Sequence, residues 1–572
     1  MVKKRLKSAF ALLLAAVLLT VISPLSTGTA NAAKPAPKSK MQKYVDQMQP
    51  GWNLGNTLDS VGADETAWGN PRVTREVIKQ ISRQGFKSIR IPVTWDNHIG
   101  PAPDYKIDPA YLDRVAEVVG WARSENLYVL INVHHDSWVW ISKMENNHDE
   151  TLARYNAVWT QIANKFKNES HKLSFESVNE PRFTDGGTTD EAVAQDLLDE
   201  LNLSFHKIVR SSGGKNVDRP LVLPTLESSP SQERMTELYQ TFDQLKADKN
   251  LIATVHYYGY WPFSVNIAGT TTFDETTRND LVTTFDRVYD TFTARGIPVI
   301  LGEYGLLGFD KNINTIEQGE KLKFFEFLTY YAKQKQMTTM WWDNGQHFNR
   351  TAYTWSDPEL YEIIRSGQKQ RSSVAESDLI QLRQGEAIQD QAVKLQLNGN
   401  KLTSLKADGK RLTKNKDYTL NGETLTMPAA TLKKLTSSGK LGTNSVITAG
   451  FTKGPDWNFY VTVHQTPVLQ AAAGTHADFT IPVTWNGDKL ATMEAVYVSG
   501  GNAGPNDWTS FKEFESTFSP DYDKGTITLR PALLDTLRDG ETVKLTFYFW
   551  SGDTLNYTVT KNASNVTGQP TP

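Results

Sequence analysis

The chain has 572 residues, a formal net charge of −3 and no cysteine. Its length exceeds that of one domain, so two to four domains are expected. The lack of cysteine excludes disulfides, thiolate metal sites and cysteine nucleophiles. The mildly acidic charge argues against nucleic acid or anionic lipid as a partner.

The N-terminus has the pattern of a secretory signal peptide, which we predict over residues 1–32. A basic cluster comes first, an apolar run follows over residues 9–22, and Ala30-Asn-Ala32 matches a small-residue cleavage site. Cleavage there moves the formal net charge from −3 to −7. We therefore expect a secreted, extracellular protein with no membrane contact after cleavage.

From about residue 48 to 367, strand-like apolar runs alternate with amphipathic helical stretches. Eight strands are predicted, at 51–54, 87–91, 128–133, 173–178, 220–224, 252–256, 298–302 and 337–342. Helices are predicted between them, at 75–83, 111–124, 151–166, 192–210, 280–295 and 319–333. Eight such units predict a (β/α)₈ TIM barrel, which we expect to be a catalytic domain over residues 33–370.

The pattern changes after a short polar joint at 368–377, where short alternating strands with hairpin-turn signals begin. Asp408-Gly409 and Asn486-Gly487 are examples of these turns. Two all-β immunoglobulin-like sandwich modules are predicted, at 378–466 and at 467–565. Because the joint is short, we expect the modules to be docked.

Two glutamates lie where strand-like runs end, Glu180 in Phe175-Glu-Ser-Val-Asn-Glu-Pro and Glu303 in Pro298-Val-Ile-Leu-Gly-Glu-Tyr-Gly. A carboxylate at such a position must be paired, hydrogen-bonded or protonated. In a barrel, the ends of strands 4 and 7 face each other across the opening. The pair is therefore interpreted as an acid/base and a nucleophile, and the alternative is a structural ion pair for either one.

Several further motifs fall at the ends of other predicted strands. They are Ile89-Arg-Ile-Pro-Val, Asn132-Val-His-His-Asp, Asn179-Glu-Pro, Val255-His-Tyr-Tyr-Gly, Gly302-Glu-Tyr-Gly and Met340-Trp-Trp-Asp-Asn. Together they resemble glycoside hydrolase family 5 over residues 45–370. Gly51-Trp-Asn-Leu-Gly-Asn-Thr-Leu-Asp and Glu65-Thr-Ala-Trp-Gly-Asn-Pro further resemble its subfamily 4, whose members are endo-β-1,4-glucanases that often cleave xyloglucan. The tail resembles an immunoglobulin-like module followed by a family 46 carbohydrate-binding module. The resemblance implies a spacer at 378–466 and a carbohydrate-binding module at 467–565.

The resemblance implies a retaining mechanism with Glu303 as nucleophile and Glu180 as acid/base. It also implies substrate-site roles, which fall on Arg90, His134, Asn179, His256, Tyr258 and Trp342. Arg90 and Tyr258 would keep Glu303 ionised, and Asn179 would hold the sugar 2-hydroxyl. A near-neutral pKa is expected for Glu180, set by the adjacent nucleophile and by burial.

Three of these interpretations have alternatives. Arg90 read alone favours an ion pair inside the barrel. His134 and His135 suggest a metal, but neighbouring residues on a strand face opposite ways, so no metal and no other cofactor is expected. One of Trp341 and Trp342 should pack among the helices, and we expect Trp342 to contact the sugar.

Other aromatic residues are candidate platforms for sugar stacking. Four lie in predicted loops at the same rim of the barrel, and each has plain packing as its alternative: Trp68, Trp138, Trp140 and Trp261. Trp508 lies in the turn-rich Asn502-Ala-Gly-Pro-Asn-Asp-Trp of the last module, where a core tryptophan is unexpected.

The sequence thus predicts a secreted retaining endo-β-1,4-glucanase acting on cellulose-type β-glucans and xyloglucan, with plant cell-wall polysaccharide as its partner. We expect it to be a monomer. The alternatives are an endo-acting hydrolase of mannan or mixed-linkage glucan, and a non-catalytic carbohydrate-binding protein. The last of these would normally lack one of the glutamates.

Overall fold

Eight parallel strands close into a barrel in the computed structural model, which describes residues 38–184 and 190–571. The strands are β1 Gly51–Asn53, β2 Ser88–Ile91, β3 Tyr128–Asn132, β4 Leu173–Glu176, β5 Leu221–Pro224, β6 Leu251–Tyr257, β7 Val299–Tyr304 and β8 Thr338–Trp341. The predicted TIM barrel is confirmed, with all eight strands at their predicted places. The predicted signal peptide lies outside the described residues.

Eleven helices accompany these strands in the described part of the barrel region. They are α1 Lys40–Gln47, α2 Arg75–Arg83, α3 Pro109–Ser124, α4 Asp136–Val139, α5 His148–Phe166, α6 Glu191–Ser211, α7 Gln232–Gln244, α8 Trp261–Ser264, α9 Glu275–Thr291, α10 Gln318–Gln334 and α11 Pro358–Gly367. Capping residues in the sequence determine where several of these helices begin. The Thr74 hydroxyl accepts from the Val77 N–H at 3.3 Å, and Asp108 caps α3 ahead of a proline at its first position.

Alternation along the strands divides the barrel interior into two levels. Leu130, Ile252, Ile300 and Met340 form an apolar layer at the bottom, against which Val45 of α1 packs. Side chains on a strand alternate between its two faces, so a residue two or four positions further along faces the interior again, nearer the carboxyl end. At these later positions the chain carries Asn132, His256 and Trp342. The polar site is thus built on the same strand faces as the core beneath it.

The middle module has two sheets, in the orders β10-β17-β16-β12-β13 and β14-β15-β11-β9. Its strands are β9 Val374–Ala375, β10 Leu379–Arg383, β11 Gln391–Gln396, β12 Leu402–Ala407, β13 Lys410–Arg411, β14 Thr419–Asn421, β15 Thr424–Met427, β16 Gly442–Phe451 and β17 Trp457–His464, with helix α12 Ala429–Leu435. Asp408 and Gly409 join β12 to β13 with φ of 49° and 79°. Both angles are positive, as the predicted two-residue hairpin requires.

The last module also has two sheets, in the orders β18-β20-β23-β22 and β19-β26-β25-β24-β21. Its strands are β18 Val468–Leu469, β19 Ala472–Thr475, β20 Phe479–Thr484, β21 Leu490–Tyr497, β22 Phe518–Asp521, β23 Thr526–Leu529, β24 Thr542–Phe549, β25 Thr554–Asn562 and β26 Asn565–Thr571, with helix α13 Pro531–Leu534. Its core is a separate apolar cluster, whereas the core of the middle module continues into that of the barrel.

Both modules contact the barrel directly. In the joint, Arg371 forms a bidentate ion pair with the buried Glu326 of α10, with N···O distances of 2.7 and 2.8 Å. The last module reaches back to the loop after α8, where the Phe514 N–H donates to the Asn266 carbonyl at 3.1 Å. The Asn266 side chain donates in turn to the Ala491 carbonyl at 3.0 Å. The last module therefore contacts a loop at the carboxyl end of the barrel.

No helix among the described residues is long and apolar enough to cross a membrane.

Candidate active site

The carboxyl ends of the barrel strands bring eight of the nine predicted site residues into one connected cluster. Its members are Arg90, His134, Asn179, Glu180, His256, Tyr258, Glu303 and Trp342. The ninth, Trp508, lies in the last module. The cluster is largely buried, whereas the Glu180 side chain keeps 28% of its surface exposed.

Glu303 enters the barrel through a shift in strand register. β6 pairs with β7 as Val255 to Leu301 and then as His256 to Glu303, so Gly302 is an extra residue on β7. Strict alternation from the interior residue Ile300 would turn residue 303 outward. The inserted residue restores Glu303 to the interior, as such irregularities often do next to active sites. Glu303 thus lies within β7 rather than after it, which corrects the predicted strand end.

Gly302 is required at this shift because a side chain has no room there. An added Cβ would lie 2.7 Å from the Thr254 hydroxyl oxygen and 3.0 Å from the His256 Nε2. Glycine inside a strand commonly marks such a close approach.

Arg90 is fully buried, and its guanidinium connects the two halves of the site. It donates to Glu176 through Nε at 2.7 Å and Nη2 at 3.0 Å, and to Glu303 Oε1 through Nη1 at 2.7 Å. It also donates to the side-chain oxygens of Asn53 at 3.0 Å and Asn179 at 2.7 Å. Arg90 thus forms both the ion pair inside the barrel and the predicted contact with Glu303.

Glu176 is a site residue that the sequence interpretation missed. It lies on β4 with no exposed surface, and its carboxylate takes the bidentate contact from Arg90. The available signal was a charged residue inside the apolar run Leu173-Ser-Phe-Glu-Ser-Val. Glu180 lies at the end of that run, where a catalytic carboxylate is expected, and Glu176 lies four residues before it.

Glu180 and Glu303 share one histidine. His256 Nδ1 lies 2.8 Å from Glu180 Oε1 and 3.6 Å from Glu303 Oε2. Together the three side chains place one oxygen or nitrogen each within 4.8 Å of one another. Glu180 is also held in a left-handed backbone conformation with φ of 38°, a strained state for a residue with a side chain.

The pKa values of this group depend on His256. Burial raises the pKa of Glu180, but the hydrogen bond and charge of His256, with help from Arg182 and Arg90, bring it below its ordinary value. Burial lowers the pKa of His256, but Glu303 and Glu180 raise it above its ordinary value. The expected near-neutral pKa for Glu180 is therefore wrong for the free enzyme, because the expectation left out the imidazole.

Tyr258 donates its hydroxyl to Glu303 Oε2 at 2.6 Å. Burial, together with the charges of Glu303 and Glu180, raises the pKa of Tyr258 well above its ordinary value, so the phenol stays a donor. With Arg90 on Oε1, both oxygens of Glu303 are fixed by hydrogen bonds.

His134 lies beneath Trp342, with parallel rings at a centroid distance of 5.9 Å. Its Nδ1 is 3.0 Å from the Asn132 side-chain amide nitrogen. Because Asn132 uses its oxygen to accept from the Val93 N–H, the NH₂ group faces His134, and Nδ1 is the acceptor. The proton of the neutral ring is thus assigned to Nε2, which lies 4.0 Å from Glu303 Oε1. Burial and the neighbouring His135 lower the pKa of His134 well below its usual value.

The two adjacent tryptophans at the end of β8 differ in exposure. Trp341 is fully buried and stacks on Trp355 at a centroid distance of 5.2 Å, whereas Trp342 is partly exposed. An added Cβ on Gly55 would lie 2.8 Å from the Trp342 ring. The backbone of the loop after β1 thus fixes one edge of that ring.

The four tryptophans that we predicted at the rim of the barrel also differ in exposure. Trp68, Trp138 and Trp261 are 39%, 44% and 41% exposed. Trp140 is buried and packs under Arg154, so its interpretation as a sugar platform is wrong. The helical turn of α4 turns it inward, where its indole N–H donates to Asp136 at 2.7 Å.

Trp508 is 57% exposed, and its ring lies 6.0 Å from that of Trp261. The last module therefore places an exposed indole beside a rim tryptophan of the barrel. Phe511 anchors the contact nearby, since an added Cβ on Gly269 would lie 3.1 Å from its ring.

Glu180, His256 and Glu303 have the side-chain types that can ligate a divalent cation. Arg90 already pairs with Glu303, and His256 with Glu180, so each ligand has a protein partner. A cation here would have to displace these contacts.

Comparison with known proteins gives three family matches along the chain. Residues 53–348 match the model of cellulase, glycosyl hydrolase family 5. Residues 375–461 match carbohydrate binding domain X2, and residues 465–569 match a carbohydrate binding domain designated CBM46.

Individual relatives extend the match over the whole chain. Endoglucanase B of Paenibacillus lautus is 62% identical over 566 residues, which are 99% of each chain. The solved trimodular endo-β-1,4-glucanase B of Bacillus halodurans is 57% identical with a TM-score of 0.91, covering 94% of this chain and 100% of that one. A trimodular family 5 (subfamily 4) endo-β-1,4-glucanase of Bacillus licheniformis is 33% identical with a TM-score of 0.77, covering 92% and 98%.

These matches confirm the resemblance inferred from the strand-end motifs. The chain belongs to glycoside hydrolase family 5, and it is a glycoside hydrolase whose barrel is followed by two carbohydrate-binding domains.

Proposed function

We propose that the chain is a retaining endo-β-1,4-glucanase that cleaves cellulose-type β-glucans and xyloglucan by double displacement. The observation that carries the mechanism is the short separation of Glu180 and Glu303, whose nearest carboxylate oxygens lie within 4.8 Å. Retaining enzymes hold their carboxyl groups about 5–5.5 Å apart, whereas inverting enzymes need roughly 6.5–9.5 Å to admit a water molecule. The measured separation favours direct attack by a carboxylate.

In this proposal Glu303 is the nucleophile. Arg90 and Tyr258 hold its two oxygens at 2.7 and 2.6 Å and so fix its position below the sugar ring. Attack on the anomeric carbon forms a glycosyl ester while the bond to the leaving oxygen breaks. Water then attacks the same anomeric carbon from the face opposite the ester and displaces the Glu303 carboxylate, which restores the β-configuration.

Glu180 is proposed as the acid/base, working together with His256. One proton lies in the 2.8 Å contact between His256 Nδ1 and Glu180 Oε1. When the leaving oxygen takes this proton through Glu180, the pair is left as a carboxylate and a neutral imidazole. In the second step the Glu180 carboxylate accepts a proton from the attacking water.

Asn179, His134 and Trp342 are proposed to bind the sugar in the site. Arg90 holds the Asn179 side-chain oxygen at 2.7 Å, which orients the amide towards a 2-hydroxyl. The neutral His134 keeps its Nε2–H as a donor close to Glu303. Trp342, stacked on His134, offers the outer face of its indole to a pyranose ring.

The stereochemical test is early-time NMR of the products from cellotetraose. A β-configured new reducing end is expected, and an α-configured first product would contradict double displacement. Glu303→Asp serves as a matched variant, because it keeps the charge but withdraws the carboxylate by one methylene.

We further propose that the last module extends the substrate cleft. Trp508 and Trp261, from two different domains, lie side by side with exposed rings. A chain already held by the barrel would then meet Trp508 at high effective concentration. Trp508→Ala should reduce cleavage of long or branched β-glucans about fivefold more than cleavage of cellotetraose, because a stacking contact contributes about 1 kcal/mol and this energy corresponds to a fivefold change in rate. Equal losses on both substrates would exclude an extended cleft.

The polysaccharide preference is tested with a panel of xyloglucan, carboxymethylcellulose, lichenan, mannan and xylan. Fast release of reducing ends from mannan alone would favour the alternative substrate, and no release from any of them would favour a binding protein. Secretion after cleavage near residue 32, a monomeric state, and module boundaries at 33–370, 378–466 and 467–565 belong to the same proposal. N-terminal sequencing and light scattering of the secreted protein test the first two.

A further inference from the structure

Lys512 of the last module has no exposed surface. Lysine is almost never fully buried unless its charge is compensated. No carboxylate among the described residues forms an ion pair with it. Its ammonium instead donates to three backbone carbonyls, those of Pro505 at 2.9 Å, Thr509 at 2.9 Å and Asn506 at 3.5 Å.

These three carbonyls lie on both sides of Trp508 in the chain. Pro505 and Asn506 precede it and Thr509 follows it, so the ammonium joins the two arms of the 503–510 loop. Short polar contacts complete the loop, including that from the Asn502 side-chain amide to the Asp507 carbonyl at 2.6 Å. The Trp508 indole itself is mostly exposed, and its position therefore depends on how firmly the loop backbone is held.

The stem of Lys512 has a defined path to the loop. Its own N–H donates to the Met493 carbonyl of β21 at 2.9 Å, which fixes the residue on the sheet. Gly504, with φ of 85°, lets the loop pass close by, since an added Cβ would lie 2.4 Å from Leu533 Cδ1 and 3.6 Å from Lys512 Cδ. The loop thus follows the lysine stem closely.

The charges around Lys512 are few. Burial lowers the pKa of Lys512 to about 8, against a smaller raising effect of Asp507. On the adjacent strand, the Glu494 carboxylate accepts hydrogen bonds from the hydroxyls of Ser510 and Tyr548. The ammonium form with its three donors therefore predominates at neutral pH, which suits three carbonyl acceptors.

We propose that Lys512 is a positioning residue for glucan binding, whose buried ammonium joins the two arms of the 503–510 loop and so presents Trp508 to a sugar ring beside Trp261. The inference rests on the proposed role of Trp508 in the extended cleft. In this proposal Lys512 does not contact the substrate. It orients Trp508, which does.

The test is Lys512→Met in the full chain, which removes the donors but keeps a stem of similar length. The ratio of kcat/KM on xyloglucan or long β-glucan to that on cellotetraose should fall about fivefold, through KM, as for Trp508→Ala. Amide hydrogen exchange in residues 503–510 should become faster. Lys544→Met, at an exposed lysine of β24, is the matched control and should change neither. Lys512→Gln, which keeps one donating amide, should lie between wild type and Lys512→Met.

The double variant Lys512→Met/Trp508→Ala separates positioning from general stability. It should lose no more polymer activity than Trp508→Ala alone, because the lysine acts through the indole. A further loss in the double variant, or unchanged loop exchange in Lys512→Met and Lys512→Gln, would overturn the proposal. If Trp508→Ala leaves the polymer KM unchanged, the extended cleft fails, and hydrogen exchange then reports separately whether Lys512 orders the loop.

Discussion

Replacing His256 with glutamine should move the alkaline limb of the pH–rate profile downward. In the free enzyme one proton is shared by His256 and Glu180, and the directions of both pKa shifts favour the imidazole as its holder. Glu303 and Glu180 outweigh burial in raising the pKa of His256, and the pKa of Glu180 is lowered. The working state therefore loses this proton with a macroscopic pKa that belongs to the pair.

Glutamine keeps a hydrogen-bond donor beside Glu180 but cannot carry the proton. The carboxyl group must then hold the proton alone, helped by burial and hindered by Arg90 and Arg182. Ordinary histidine and glutamate differ by about 2 pH units, and burial recovers part of this difference. We expect the alkaline limb of kcat/KM on cellotetraose to fall by roughly one to two pH units.

The assay is kcat/KM between pH 4 and 10 for wild type and His256→Gln, on cellotetraose and on a dinitrophenyl cellobioside. The second substrate has a leaving group that needs no protonation, so its profile should lack the alkaline limb in both proteins. His171→Gln, at a surface histidine paired with Asp218, is the control. An unchanged or raised limb in His256→Gln would show that Glu180 holds the proton without the histidine, and the shared-proton mechanism would be refuted.

Three further predictions concern the same domain. Glu303→Gln should abolish hydrolysis of every substrate, whereas Glu180→Ala should keep turnover of aryl glycosides with good leaving groups, because only the acid can be bypassed; equal losses would contradict the assigned roles. Burial raises the pKa of Asp136 to about 6, above its unfolded value, so its contribution to stability is present below about pH 4 and is lost as pH rises through 6. Asp136→Asn should therefore gain roughly 3 kcal/mol of unfolding free energy relative to wild type between pH 4 and 7.5 in denaturant titrations, and Asp104→Asn, at an exposed aspartate, should gain none. Exhaustive chelation should leave activity intact, and a loss restored by a divalent cation would show a required metal.

The barrel was predictable from the sequence because its strands are apolar runs separated by amphipathic helices. Helix α2 matches its predicted range 75–83 because Thr74 caps its start and its apolar residues Val77, Ile78 and Ile81 recur at helical spacing. The β-strand ends were less predictable. β6 continues through Tyr257 and β7 through Tyr304, since these aromatic residues pack against the helices.

Two features of the site could not be predicted from the periodicity of the sequence. The register shift at Gly302 follows from crowding between neighbouring strands, and a single strand does not reveal its neighbour's side chains. The effect of His256 on Glu180 requires a 2.8 Å contact between residues 76 positions apart. Without that contact, burial and a nearby carboxylate predict a raised pKa.

The charges of the site suit the proposed chemistry. Arg90 forms ion pairs with both Glu176 and Glu303, so one buried cation faces two carboxylates. Glu180 and His256 share one proton and are together neutral. The pocket therefore carries an excess of one negative charge when substrate binds, next to the carbon where an oxocarbenium ion develops. As Glu303 forms its bond this charge is used up, and Arg90 remains paired through Glu176. We infer that Glu176, which the sequence interpretation overlooked, keeps the guanidinium in place while the charge on the nucleophile changes.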